Sequence, residues 1–246
     1  MVRDLVCNME IDARKAPVTA EYGGRFYYFC SGACREKFLR EPGVFTNKAP
    51  GMRLTVGVMG SADANAPADI AERARQLGRV IAQRGLVLVT GACSGLPYEC
   101  ASGANTFGGL SVGISPALSL DEHVHKYLSP SDAFDMIVYT GSGLMGREVT
   151  NIRSSDMVVI LGGRSGTLGE FAIAYDEGKL IGVLQGSGGI TEQLPGLVAS
   201  FDKETGAKVI YDADPEGLVG RMLDAYSSSH YRRPSCFCEE MTDAPG

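Results

Sequence analysis

The amino-acid sequence predicts an α/β protein built on a doubly wound parallel sheet, with a small N-terminal module of hairpin and helix. Two observations predict the sheet. Short apolar runs recur from residue 53 onward, and helix-compatible segments separate them. Continuous apolar strands that alternate with helices are typical of parallel sheets covered on both faces. A third observation, an aromatic-rich stretch with its own cysteine pattern before residue 47, predicts the separate module.

Residues 1–46 form this predicted module. The stretch EYGGRFYYFC (21–30) places aromatic residues around a Gly-Gly pair, which predicts a β-hairpin. The stretch SGACREKFLREP (31–42) predicts a short helix that begins at its serine and ends at its proline. Residues 47–52, NKAPGM, are polar and contain proline and glycine, so we expect a linker there.

The main domain is predicted over residues 53–226, and a polar C-terminal tail over 227–246. The strands of the main domain are expected in seven apolar runs, most of which end in glycine or another small residue. These runs are LTVGVMG (54–60), LVLVTGA (86–92), LSVGISP (110–116), DMIVYTG (135–141), MVVILGG (157–163), LIGVLQG (180–186) and AKVIYD (207–212). The stretch 68–85 has apolar residues at helical spacing, with Gly85 as its C-cap. Since ligands bind at the carboxyl ends of parallel strands, the glycine turns there predict the binding side.

Composition excludes several classes of partner. The net charge is −6, whereas a nonspecific grip on nucleic acid needs a basic face. No apolar run reaches the roughly 18 residues that cross a membrane. The N-terminus lacks the apolar core of a secretory signal. We therefore expect a cytoplasmic protein without nucleic-acid or membrane partners.

The glycine turn LGGRSGTLGEF (161–171) lies between a predicted strand and a predicted helix. Glycine is costly to order, so a cluster of it needs a reason. One reason is a tight turn and nothing more. The other is a bare backbone whose free N–H groups, together with the helix dipole, hold an anion. The residues expected to bind the anion are Gly163, Arg164, Ser165, Gly166 and Thr167.

Two charged residues accompany this turn. Glu170 falls one turn inside the helix, where it either favours the helix N-terminus or faces a sugar or a developing cation. Arg147 lies in a predicted helix within 141–156, four residues from Asn151 and on the same face. An arginine fork on such a face suits phosphate, although an exposed, ion-paired face is the commoner alternative.

Two further turns follow the first two strands of the main domain. They are GSADANAP (60–67) and TGACSGLPYE (90–99), and each alone is a weak signal. Taken with the glycine turn, they favour a binding site assembled from several turns. The residues expected to join that site are Gly60, Ser61, Gly91 and Gly95.

The region 53–226 resembles the LOG family, long misnamed lysine decarboxylases, within the SLOG group of Rossmann-like nucleotide-binding domains. That family carries PGGxGTxxE after a helix with an arginine motif. Here the turn reads GGRSGTLGE, with Thr167 and Glu170 in place, and Arg147 lies 23 residues before Glu170. GSADAN is similar to the family's first phosphate-side turn, and TGACSGLPYE to its GGGxxGLMG turn.

The sequence also departs from the family pattern. Gly162 replaces the proline, and Arg164 replaces the second glycine. Glu148 stands where the arginine motif has lysine, and Gly169 stands where the first of two glutamates is expected. With these changes, the sequence resembles a divergent branch of the family, near the molybdenum-cofactor carrier proteins.

The resemblance implies hydrolysis of the N-glycosidic bond of a nucleoside 5′-monophosphate, which gives a free base and ribose 5-phosphate. It implies catalytic roles for Glu170 and Arg147, no cofactor for the hydrolysis, and a homo-oligomer. The alternative is a non-enzymatic carrier or sensor of a nucleotide or molybdenum cofactor. Arg164 either adds charge for a more highly charged ligand or points to solvent.

Cys7, Cys30 and Cys34 give the spacing C-x22-C-x3-C, which resembles YHS or TRASH metal-binding modules. Thiolates favour Zn²⁺ and other soft metals, and such a metal would stabilise the module or regulate the domain. Three ordinary thiols are the alternative. A fourth metal ligand would come from Cys236 or Cys238, if the tail folds back, or from a neighbouring subunit, water or an exogenous ligand.

Overall fold

The structure is a computed structural model, and it describes residues 2–7, 9–22, 25–46 and 53–230. The predicted linker lies outside the described residues. So does the tail from residue 231, with Cys236 and Cys238.

The module contains the predicted hairpin and helix. Its elements are β1 (Val2–Arg3), β2 (Glu10–Ile11), β3 (Val18–Tyr22), β4 (Arg25–Phe29), α1 (Gly32–Arg40) and α2 (Pro42–Thr46). β3 and β4 pair antiparallel, as predicted. The Ser31 hydroxyl accepts a hydrogen bond from the Cys34 N–H at 3.3 Å and so caps α1. Phe29 and Phe38 are fully buried, with ring centroids 5.0 Å apart, and they form the core of the module.

The main domain contains one seven-stranded parallel sheet in the order β11-β10-β9-β5-β6-β7-β8. Its strands are β5 (Thr55–Gly60), β6 (Val87–Thr90), β7 (Ser111–Ser115), β8 (Met136–Tyr139), β9 (Met157–Leu161), β10 (Leu180–Leu184) and β11 (Lys208–Asp212). Each lies within one of the predicted apolar runs, and the predicted fold class is confirmed.

Helices cover both faces of this sheet. They are α3 (Ala68–Gln83), α4 (Leu96–Asn105), α5 (Gly143–Arg153), α6 (Ser165–Asp176), α7 (Leu194–Ser200) and α8 (Pro215–Ala225). One apolar core joins the sheet to α3, α4 and α8, and a second joins it to α5, α6 and α7. None of the described helices is both long and apolar enough to span a lipid bilayer.

Close helix packing depends on two glycines. A Cβ on Gly78 of α3 would lie 1.9 Å from the Cys100 carbonyl oxygen, and one on Gly103 of α4 would lie 2.0 Å from the Arg75 carbonyl oxygen. Because neither glycine carries a side chain, α3 and α4 approach each other at backbone contact distance.

The strand order reverses between β5 and β9, its neighbour in the sheet. From β5 the chain proceeds through β6 and β7 to β8 on one side, and from β9 through β10 to β11 on the other. In open parallel sheets, ligands bind beside such a switch point, at the carboxyl ends of the strands. The module contacts the C-terminal end of α3, where the Tyr22 hydroxyl donates to the Ala82 carbonyl at 3.3 Å.

Candidate functional site

A cavity of 280 Å³ lies at the switch point. We call it the sheet-end cavity. Its walls come from residues 58–62 at the end of β5 and just beyond it, the turn after β6, α5, and the turn that opens α6. It is lined by nine of the residues singled out from the sequence, which are Gly60, Ser61, Gly91, Arg147, Arg164, Ser165, Gly166, Thr167 and Glu170.

Gly95 and Gly163, also expected at the site, are not among the residues that line this cavity. Gly95 has φ +78°, and a Cβ there would lie 2.3 Å from the Ser61 carbonyl oxygen. Gly163 has φ +92°, and its Cβ would lie 2.2 Å from the Thr167 hydroxyl oxygen. Both glycines therefore allow the turns to approach closely, and they support the cavity walls without lining them.

The first turn of α6 presents free backbone donors to the cavity. α6 begins at Ser165, and its N-cap residue, Arg164, makes no capping hydrogen bond through its side chain. The Leu168 N–H is bonded to the Arg164 carbonyl, so the amides of residues 165–167 precede the first helical hydrogen bond. Free amides at the positive end of a helix dipole are suited to hold an anion.

Arg147 projects from α5 into the cavity and is 9% exposed. Its Nε and Nη1 are buried and find no hydrogen-bond partner among the described residues. A Cβ on Gly91 would lie only 1.9 Å from Nη1, so the guanidinium packs against bare backbone. The alternative of an exposed, ion-paired face does not hold for Arg147. Buried donors without partners are costly, so this guanidinium has the chemistry to bind an acceptor or an anion.

Glu170 shares the cavity and is 6% exposed. Its Oε1 lies 3.7 Å from Arg147 Nη1, within ion-pair range but beyond a hydrogen bond. Burial raises the pKa of Glu170 to about 7, although the positive charge of Arg147 opposes the shift. The carboxyl group therefore exchanges its proton near neutral pH, as a general acid or base requires.

The structure adds a second carboxylate that the sequence did not identify as a site residue. Glu148 is buried and lines the same cavity. Its oxygens lie 3.8 and 3.4 Å from the positions that Cβ atoms would take on Gly166 and Gly169. Burial raises the pKa of Glu148, and Arg147 lowers it by a smaller amount.

Two more residues form or support the cavity wall. The Cys93 side chain is also part of the cavity wall, and burial raises the pKa of its thiol. Asn151, expected beside Arg147, is fully buried, and its amide donates to the Met59 sulfur at 3.0 Å. Since Met59 lines the cavity, Asn151 supports the cavity without lining it.

The module gathers Cys7, Cys30 and Cys34 into one cluster, which we call the cysteine cluster. The Cys7 and Cys30 sulfurs are 3.5 Å apart, and those of Cys30 and Cys34 are 3.7 Å apart. All three are free thiols, and together with Asp4 their ligand atoms lie within 4.8 Å of one another. This spacing fits one ion held by several sulfurs, and thiolate ligands suit soft metals.

Asp4 completes the cluster, although it was not among the metal ligands predicted from the sequence. One carboxylate oxygen accepts from the N–H groups of Val6 at 2.8 Å and Cys7 at 3.3 Å. The other accepts from the Cys30 N–H at 2.9 Å. Burial opposes the charge of Asp4, but these hydrogen bonds lower its pKa to about 2. Since both oxygens are already occupied, Asp4 fixes the backbone of two cysteines.

The sequence model of the SLOG cluster4 family matches residues 53–219. The chain belongs to the SLOG cluster4 family. The position of the sheet-end cavity agrees with this assignment, because it is built from the turns that carried the resemblance.

Two solved structures of molybdenum-cofactor proteins are similar to the SLOG domain. The molybdenum cofactor binding protein of Rippkaea orientalis is 30% identical, with a TM-score of 0.58 over 71% of this chain and 98% of that one. The molybdenum cofactor carrier protein of Chlamydomonas reinhardtii is 28% identical, with a TM-score of 0.57 over 72% and 100%. DNA processing protein A of Helicobacter pylori, at 20% identity and a TM-score of 0.51, shares the fold alone.

The N-terminal module also has relatives. The model of the YHS domain matches residues 2–49. A copper-transporting P-type ATPase of Rhizobium leguminosarum bv. viciae is 43% identical over 42 residues, which is 17% of this chain and 5% of the ATPase. The SLOG domain is thus joined to a YHS module whose cysteine cluster has the chemistry of a metal site.

Proposed function

We propose that the chain hydrolyses the N-glycosidic bond of a nucleoside 5′-monophosphate and releases a free base and ribose 5-phosphate. The observation that carries the proposal is the buried Arg147 guanidinium, which has two unpartnered nitrogens and lies beside Glu170. An anion receptor and a carboxyl group that titrates near neutral pH therefore share one cavity.

The proposed reaction uses these groups together with water, and it requires no cofactor. The amides of residues 165–167 bind the 5′-phosphate, and this remote binding energy aligns the ribose. As the C1′–N bond breaks, its electron pair leaves with the base, and positive charge develops on the sugar. Water then bonds to C1′, and the proton that it loses ends on the departing base. Ionised Glu170 stabilises that charge or positions the attacking water. Arg147 holds the phosphate or ribose and keeps Glu170 oriented.

Incubating the purified protein with a panel of nucleoside 5′-monophosphates tests this proposal. We expect a free base and ribose 5-phosphate from at least one member, and loss of base release in Glu170→Gln. Glu204→Gln is the matched control, because Glu204 is exposed and lies outside the lining of the cavity. Equal rates in wild type and Glu170→Gln contradict the catalytic role of Glu170.

A second candidate function is a non-enzymatic carrier or sensor of a nucleotide or of the molybdenum cofactor. It is favoured by Arg164, an exposed cation on the rim of the cavity, and by the similarity to a molybdenum cofactor binding protein and a molybdenum cofactor carrier protein. An added charge next to the anion site suits a more highly charged ligand. Tight binding without base release at high protein concentration, weakened in Arg164→Ala, supports the carrier over the hydrolase.

The cysteine cluster is proposed to bind Zn²⁺ or another soft metal, which stabilises the module or regulates the SLOG domain. The sulfur spacing and the resemblance to part of a copper-transporting ATPase support a soft metal. The contact between Tyr22 and Ala82 provides a route from the module to α3. Base release with and without the bound metal tests regulation, and unchanged rates contradict it.

The chain is also proposed to form a homo-oligomer. Exposed apolar side chains lie on the edge strand β8 and near the start of α5, which supports burial against a second copy. They are Met136 at 55%, Leu144 at 58% and Met145 at 73% exposure, and Leu118, on the segment after β7, is 76% exposed. Light scattering tests the assembly: we expect a mass above that of one chain for wild type and a reduced mass for Met145→Glu.

A further inference from the structure

We propose that Glu148 is a specificity residue that accepts hydrogen bonds from the C2 and C3 hydroxyl groups of the ligand's sugar, so that the cavity selects a phosphorylated ribose. This inference rests on the proposed binding of a sugar phosphate in the sheet-end cavity. It assigns a role to a carboxylate that the mechanism above does not use.

Glu148 is an acceptor at the cavity wall without a partner among the described residues. It is 7% exposed and lines the cavity. In the parts of the chain that the structure describes, its carboxylate makes no hydrogen bond and no ion pair. Its carboxylate oxygens are not sealed inside the protein but open onto the cavity, where a ligand donor can replace water. The cavity is the open side from which a donor can arrive.

Glu148 lies next to the proposed anion site. Its oxygens lie beside the first turn of α6, at 3.8 Å from the Cβ position of Gly166 and 3.4 Å from that of Gly169. An anion held by the amides of residues 165–167 is therefore close to Glu148. The atoms bonded next to that anion come within reach of the carboxylate.

The charge of Glu148 determines which ligand groups it can bind. An ionised carboxylate only accepts hydrogen bonds, so its ligand partner has to donate. An unattached phosphate offers Glu148 a like charge, whereas the ribose of a sugar phosphate offers hydroxyl donors. Glu148 therefore disfavours the bare anion and favours the same anion when it carries a diol.

The glycines of α6 make this arrangement possible. A Cβ at Gly169 would already touch the Glu148 carboxylate at 3.4 Å, and any longer side chain there would compete for the same space. Because Gly166 and Gly169 lie three residues apart, they share a face of α6. Because this face carries no side chain at these two positions, the Glu148 carboxylate of α5 can lie against it.

Calorimetric titration of the full-length protein with ribose 5-phosphate, 2-deoxyribose 5-phosphate and inorganic phosphate tests the inference. Wild type is expected to bind ribose 5-phosphate about tenfold or more tightly than its 2-deoxy analogue, as hydrogen bonds to a charged group allow. Glu148→Gln is expected to lose this preference, while its affinity for inorganic phosphate stays the same or rises because a like charge is gone.

Glu148→Asp is the second variant, since it keeps the charge and shortens the reach by one methylene. It is expected to lose the ribose preference as well, and thermal unfolding shows whether each variant is folded. Glu204→Gln, on the exposed surface, is expected to behave as wild type.

The outcomes separate this inference from the proposed function. If wild type binds ribose 5-phosphate but does not distinguish it from the 2-deoxy sugar, the role of Glu148 is overturned and the anion site stands. The same holds if Glu148→Gln changes the affinities for sugar phosphate and inorganic phosphate by one common factor. If wild type binds none of the three probes, the anion site is absent and both proposals fail.

Discussion

The Arg147 guanidinium and the Glu170 carboxylate lie 3.7 Å apart, and both side chains are at least nine-tenths buried. They attract each other across this distance without closing a hydrogen bond, so Arg147 Nη1 remains available to a ligand. Two effects act in opposite directions on the protonation of Glu170. Burial favours the neutral form of Glu170, whereas the neighbouring cation favours its charged form.

Replacing Arg147 with methionine removes the cation that lowers the pKa of Glu170. The pKa should rise further above 7, because burial then acts unopposed by Arg147. Ionised Glu170 is the proposed active form, so the pH at which base release is half-maximal should move upward. A pH–rate profile measures this shift, which we expect to be about one unit.

Arg153→Met is the matched control for that prediction. Arg153 lies on the same helix but is largely exposed and pairs with Glu177 at the surface, at 2.7 Å. Its removal should leave the pH profile unchanged. A shift of equal size in both variants would show that helix α5, rather than the charge of Arg147, sets the profile.

Glu170→Gln should change how stability depends on pH. In the folded protein the pKa is about 7, against a usual value of 4.5, so the native state binds its proton more tightly than the unfolded chain does. Wild-type stability therefore falls as pH rises from about 4.5 to about 7, by on the order of 3 kcal/mol from this group. Glutamine cannot ionise and loses this dependence.

Urea unfolding at about pH 5 and about pH 8 measures the effect. We expect Glu170→Gln to be more stable relative to wild type at the higher pH than at the lower one. A stability difference that is the same at both values would mean that the carboxyl group does not carry the raised pKa.

Gly91→Ala should weaken ligand binding through Arg147. The added Cβ would lie 1.9 Å from Nη1 and force the guanidinium out of its place. The obstructing atom is at the end of a flexible side chain, so the fold should tolerate the change better than the site does. We expect about a tenfold loss of affinity for ribose 5-phosphate, measured by calorimetry, as for the loss of one charged hydrogen bond.

Gly220→Ala provides the comparison, because a Cβ there meets nothing within 4 Å. It lies inside α8, where alanine in place of glycine adds about 0.5–1 kcal/mol of stability. Ligand affinity should not change. Equal affinities for Gly91→Ala and Gly220→Ala would argue against an anion contact by Arg147.

Cys30→Ser should abolish metal binding by the module. Cys30 is the shared neighbour in the cluster, at 3.5 Å from the Cys7 sulfur and 3.7 Å from the Cys34 sulfur. Elemental analysis of protein purified without chelator should find about one metal ion per wild-type chain and none in the variant. Full metal content in Cys30→Ser would place the metal elsewhere.

Asp4→Asn tests the supporting role of the carboxylate in the same cluster. Asparagine can accept at one position only, so the N–H of Cys30 or those of Val6 and Cys7 lose their acceptor. Metal affinity should fall by about ten- to a hundredfold without complete loss, as for other groups that orient metal ligands. Complete loss would instead identify Asp4 as a ligand.

The candidate site was only partly predictable. Glycine-rich turns after apolar strands point to one edge of a parallel sheet, and most of the residues chosen on that ground meet in one cavity. Glu148 was not predicted as a site residue. Adjacent helix positions point about 100° apart, so a site at Arg147 does not imply that Glu148 faces the same cavity. Both side chains reach the cavity only because α5 lies at its edge. The domain boundaries at 46, 53 and 226 stay predictions.

The seven strands, the hairpin and the helices α1, α3, α5 and α6 could be predicted from the sequence, because apolar periodicity and glycine placement are local properties. Which groups lie without partners in a low-dielectric interior could not be predicted, because burial depends on the packing of elements distant in sequence. The unpartnered donors of Arg147, the raised pKa of Glu170 and the placement of Glu148 beside Gly169 all arise from α5 packing against α6. Likewise, Asp4 accepts hydrogen bonds from the N–H groups of Val6 and Cys30, and only the folded module brings Cys30 close to Asp4.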